Sequence, residues 1–187
     1  MRNETKERDW VEEVGKPAFD AIKAMVSAVQ VDYDRLQELR DERQNLVETR
    51  DDTGDDTSAA GKRSGEYREA ARNVKEWEEE NAEELAKLEE AAGDCQDEDD
   101  ARQRIAEDPL SLRVFGERTG GAWETTSYEL LLGTGGPAVR IVGDLNEHGE
   151  PESARLEVQD WFKPWTEYLG ADDEVLMSYA ERFYFGE

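Results

Sequence analysis

The chain has one cysteine, Cys95, one histidine, His148, and only seven lysines among its 187 residues. A lone cysteine excludes an internal disulfide and points to a reducing, cytosolic setting. No run of about 18 apolar residues occurs, and no apolar segment follows the first residues. Neither a spanning helix nor a standard export signal is therefore expected. Positive charge is also scarce: 23 Lys and Arg face 48 Asp and Glu, for a net charge of −25. Without a basic patch to release counterions, direct nucleic-acid binding is disfavoured, and so is adhesion to an anionic membrane. A Ser/His/Asp set, a Cys/His pair and a P-loop are all missing, so the expectation is a protein that is not an enzyme.

What is abundant is acid. Charged residues make up 38% of the chain against 36% apolar, richer in charge than an average globular domain. Five Trp, six Tyr and five Phe are nevertheless too many for a wholly disordered chain. Residues 1–108 hold 33 acids and 17 bases, and residues 109–187 hold 15 and 6. The densest stretch, residues 76–100, has thirteen acids and a single base, Lys87. Like charges at that density destabilise a compact state. Three readings offset that cost: a solvated helical face, adaptation to high salt, or a surface that imitates nucleic acid for a basic partner.

Hydrophobic spacing divides the chain in two. Residues 5–14 read as a short helix, interrupted by Gly15-Lys16-Pro17. From 17 to about 51, Ile22, Met25, Val29, Leu36, Leu39 and Leu46 fall on alternating three- and four-residue steps, with Asp32 and Arg43 at the remaining seam positions. That is a heptad seam, the pattern of a coiled coil and a candidate dimer contact. Residues 52–63, DTGDDTSAAGKR, read as a polar loop. A second helix is expected over 64–92, striped by Tyr67, Ala71, Val74, Leu85 and Leu88 and stopped by Gly93. Together these give an antiparallel helical hairpin within an acidic region, 1–108.

Beyond Pro109 the period falls to two. Leu110, Leu112 and Val114 alternate, as do Tyr128, Leu130 and Leu132, then Val139, Ile141 and Leu145, then Ala154, Leu156 and Val158. Four strands are expected, with residues 146–151 as the hairpin between the third and fourth. A last helix over 172–183 would lay Val175, Leu176, Tyr179 and Phe183 on the sheet. The expected class is α+β: the helical hairpin over 1–108, then a β-β-β-β-α domain over 109–187.

The string GTGGPAVRIVGDLNEHGEPESARLEVQDWFKPWTEY at 133–168, the terminal FYFGE, and the segments LQELRDER and LEEAAGDCQDEDDARQRIAEDPL resemble a family of small phage and prophage proteins. In that family an acidic helical front precedes a GGP…QDW…PW core. The resemblance covers most of the chain. It implies a viral origin and work in a bacterial host's cytoplasm, and it transfers no catalytic residue.

The candidate partner-binding residues are Glu76, Glu79, Glu80, Glu83, Glu84, Glu90, Asp97, Glu98, Asp99 and Asp100, together with Trp161 and Trp165. The expected partner is a host protein with a basic nucleic-acid-binding groove, and the leading function is inhibition of a defence system of the CRISPR or restriction kind. The alternative is a coiled-coil assembly protein using the Ile22–Leu46 seam. Other sites read as structural. Gly133-Thr134-Gly135-Gly136-Pro137 sits between strands and lacks the Lys-Ser or Lys-Thr of a phosphate cradle. His148 falls in a turn, and Cys95 has no neighbouring base. The acid runs 51–56 and 97–100 lack EF-hand spacing, so no metal or cofactor is expected. Glu157 and Asp160, three apart on a strand, point to opposite faces and make no acid/base pair.

Overall fold

The computed structural model describes residues 2–53 and 65–186. In order these form α1 (Arg2–Val29), α2 (Tyr33–Thr53), α3 (Gly65–Ala92), α4 (Glu98–Glu107), β1 (Ser111–Thr119), β2 (Ala122–Gly133), β3 (Ala138–Asp144), β4 (Arg155–Gln159), β5 (Thr166–Glu167) and α5 (Asp173–Ala180). The class is α+β, with a five-stranded antiparallel sheet in the order β1-β2-β3-β4-β5. Two compact units emerge, Met1–Val29 with Asp99–Glu187, and Gln30–Glu98. The division at residue 108 expected from composition is therefore not where the units part. α1 and, from Asp99 onward, α4 fall in the unit of the sheet, with Ile22, Met25, Ala101 and Ile105 buried.

The long helix expected over 17–51 is two helices. Asp32, which the heptad pattern placed in the seam, is instead the cap of α2, its Oδ1 accepting the Arg35 N–H at 3.0 Å. A carboxylate at that position satisfies a donor that the first turn leaves unpaired, worth about 1 kcal/mol. The seam divides with the helix. Ile22, Met25 and Val29 are buried in the unit that holds the sheet, Leu36 and Leu39 in the other, and Leu46 is half-buried. Five of the six residues of the candidate dimer contact are thus buried within the chain.

In the second unit Leu36 and Leu39 of α2 pack with Leu85 and Ala92 of α3, and Val31, Tyr33, Trp77 and Leu88 close the cluster. Arg35 pairs with Glu84 at 3.1 Å and Arg43 with Glu78 at 3.4 Å. Gly93, at φ +56°, ends α3 in the left-handed conformation that glycine adopts without a Cβ clash. Of the loop expected over 52–63, the first two residues belong to α2 and the others lie outside the described residues.

In the first unit, α1 runs through the expected break at Gly15-Lys16-Pro17. Pro17 cannot donate to the carbonyl four residues earlier, so one bond of the ladder is missing. Burial compensates. Gly15 is buried, and a Cβ there would overlap the Tyr168 ring, while the Phe19 ring lies 6.5 Å from Tyr168. The glycine read from sequence as a helix stop is a seat for an aromatic ring. The core combines the inward residues Tyr128, Leu130, Ile141, Leu156 and Val158 with Ile22, Leu176, Tyr179 and Phe185.

Asp172 caps α5, its Oδ1 accepting the Glu174 and Val175 N–H groups at 2.9 and 3.3 Å. Tyr179 in turn donates to Asp108. Burial, and then the bond to that carboxylate, hold the Tyr179 hydroxyl protonated far above the usual tyrosine range. β5 went unread because two residues carry no periodicity; it pairs Glu167 with Glu157 and Thr166 with Val158.

Gly15→Leu forces a large side chain into the place of the Tyr168 ring. It should cost about 1–3 kcal/mol and lower the thermal midpoint. Calorimetry on the two proteins checks this.

Candidate interaction surfaces

α3 has two chemically distinct sides. Ala70, Val74, Leu85 and Ala92 are buried, while Glu76, Glu79, Glu80, Glu83 and Glu90 are exposed on the side turned away from them. The spacing follows from the 3.6-residue turn: positions 76, 83 and 90 recur every seven residues on one outward line. Glu84 lies on the flank towards α2 and is claimed by Arg35, whose Nε and Nη2 each donate at 3.1 Å. This bond, with the neighbouring positive charge, holds the Glu84 carboxyl below the usual range. Glu78 and Glu89 are likewise paired, with Arg43 and Arg40.

On the outward line, Glu83 meets Lys87 at 2.7 Å and Glu79 meets Lys75 at 3.3 Å, while Arg72 stands 3.9 Å from Glu76. These are exposed i,i+4 pairs, each worth only a few tenths of a kcal/mol. Among the described residues, Glu80 and Glu90 have no basic group within 4.0 Å.

The acidic set read from sequence is divided between the two units. Asp97 and Glu98 fall in the unit of α3, whereas Asp99, Asp100, Trp161 and Trp165 fall in the other. Among the described residues no group of three or more His, Cys, Asp or Glu converges as a metal site. The 55–56 half of one acid run lies outside them. His148 is exposed in its turn, its N–H donating to Asn146 Oδ1 at 2.8 Å, and Cys95 is buried. No described helix is long and apolar enough to cross a membrane.

The two tryptophans have different roles. Trp161 is 65% exposed, and its neighbour Phe162 is fully exposed at φ +62°, a costly conformation for an aromatic residue. The turn that holds them is stapled. Trp161 N–H donates to Asp160 Oδ1, Lys163 N–H to Asp160 O, and Gln159 Nε2 to Lys163 O, at 2.8 to 3.1 Å. Gly136, at φ +118°, lies so close beneath the Trp161 indole that a Cβ there would overlap it. Trp165 is half-buried over the Arg140 guanidinium, 4.1 Å from cation to ring centroid.

Arg140 is the centre of a ladder the sequence reading missed. On the face of the sheet opposite Leu130, Ile141 and Leu156, Arg113 of β1 pairs with Glu129 of β2 at 3.4 Å. Arg140 of β3 reaches Glu129 at 2.7 Å and Glu157 of β4 at 2.6 Å. Glu129 is only 8% exposed, the one charged group among the buried residues described. The signal was present in the sequence. Each of β2, β3 and β4 places a charge at an outward position of its alternation, and the signs read minus, plus, minus.

No protein-family model matches the chain, and no curated protein and no solved structure matches it either.

Arg140→Met removes the main partner of a buried carboxylate. It should cost about 3 kcal/mol, measured by denaturant unfolding, because Glu129 remains in place with only the exposed Arg113 to neutralise it.

Proposed function

We propose that the chain acts by binding rather than by chemistry. It is a cytoplasmic, phage-type interaction protein that presents the outward side of α3 to a basic groove in which a host protein holds nucleic acid. A defence protein of the host is the leading target. The observation that carries this reading is sidedness. Arg35, Arg40 and Arg43 neutralise the flank facing α2, whereas the outward line keeps Glu80 and Glu90 free of any basic group within 4.0 Å among the described residues.

Charge density sets how close the imitation is. From Glu76 to Glu90 the helix rises about 21 Å at 1.5 Å per residue. The outward acids Glu76, Glu79, Glu80, Glu83 and Glu90, less their paired bases Arg72, Lys75 and Lys87, leave about one net negative charge per 10 Å, against about 3.4 Å along one strand of duplex DNA. The surface therefore imitates one strand at reduced density rather than a duplex. Binding of this kind weakens steeply with salt, since the screening length is about 10 Å at 0.1 M. The helical state of α3 favours it, because no ordering of the acidic segment is needed at the moment of binding.

Glu80→Lys with Glu90→Lys reverses two charges and disturbs no ion pair within the hairpin. Helicity by circular dichroism should be unchanged, while affinity for the captured host protein at low salt falls about tenfold or more. Unchanged affinity would remove α3 from the interface.

A further inference from the structure

The sheet has one protected edge and one open one. β5 is two residues long, too short to template another strand, whereas β1 runs for nine residues at the other end of the order. Long edge strands with exposed apolar side chains invite pairing. Along β1, Phe115 is 47% exposed and Leu112 40%. The bulge in the β1–β2 ladder places its extra residue, Thr126, on β2, so β1 itself is regular.

The geometry points to a second copy of this chain as the occupant of that edge, in an antiparallel β1–β1 pairing centred on Phe115. Alternation puts Arg113, Phe115 and Glu117 on one face of the strand. A two-fold axis at Phe115 sets each residue opposite the one equally far on the other side. Phe115 then meets Phe115 of the second copy, and Arg113 meets Glu117 twice. Val114 falls opposite Gly116, over which the Trp123 side chain lies, and Leu112 opposite the aliphatic stem of Arg118.

A second observation supports the register. Within one chain Glu117 stands directly across from Glu124 on β2. Like charges in that position destabilise a sheet, and among the described residues neither has a basic partner within 4.0 Å. Arg113 of a second copy would arrive beside that pair. Arg113 is 65% exposed beside its 3.4 Å pair with Glu129, so its guanidinium has donors left to serve. In a chain of net charge −25, β1 carries two arginines and one glutamate, so it is also an edge where self-repulsion is weakest. The inference is independent of what α3 binds.

The test is sedimentation of the intact chain over a range of concentrations, with Glu117→Arg and Phe115→Lys beside it. The chain should form a dimer of twice 21.3 kDa. Glu117→Arg sets two arginines opposite each other twice over, and should raise the dissociation constant about tenfold or more. It gains Glu124 as a partner within the chain, so its thermal midpoint should not fall. Phe115→Lys places two ammonium groups at the axis and should weaken the dimer at least as much. A monomer at every concentration overturns the proposal, and so does a dimer that either variant leaves intact.

Discussion

The scarcity of cations is the constraint on which the rest of the structure depends. With 23 bases for 48 acids, a carboxylate enters a packed region only where an arginine or another hydrogen-bond donor is placed to meet it. Arg140 does so twice, joining Glu129 and Glu157 across three strands beneath Trp165. Arg35, Arg40 and Arg43 meet acids of α3 on the exposed flank of α2. These placements stitch the outer face of the sheet and link α2 to α3. They also decide which acids face outward with little to offset them, and so link the energetics of folding to the surface available for binding.

Much of the fold was legible because burial imposes its period on the sequence. Val139 and Ile141, and Leu156 and Val158, alternate because one face of β3 and β4 is closed to water. Gly93 and Asp172 announce helix ends by mechanisms confined to a few residues. The misreadings arose where one residue type serves two purposes. Asp32 looked like a polar residue in a heptad and is a cap. Gly15 looked like a stop and is a seat for Tyr168. In each case the deciding partner is fixed by tertiary structure: the Tyr168 ring lies 153 positions away, and the end of α1 at Val29 is set by the unit into which it packs.

The candidate surface was legible in composition but not in extent. A run of acids shows that a helix is negative without showing which side its arginines will neutralise. Glu84 looked equivalent to Glu80 in sequence, yet one is held by Arg35 and the other faces water. Trp161 and Trp165 looked like a pair, yet one covers a glycine turn and the other an arginine. The charge ladder escaped notice because its members lie on separate strands, where only register brings them together.

The most direct test of the account is release of the bound partner by competing DNA. The chain, immobilised and exposed to bacterial lysate, should retain a nucleic-acid-binding protein at low salt. Adding DNA should elute that protein, as moderate salt does. If the retained protein resists DNA at concentrations that saturate its own binding groove, the acidic side of α3 does not occupy that groove, and the account of it as an imitation of nucleic acid is contradicted.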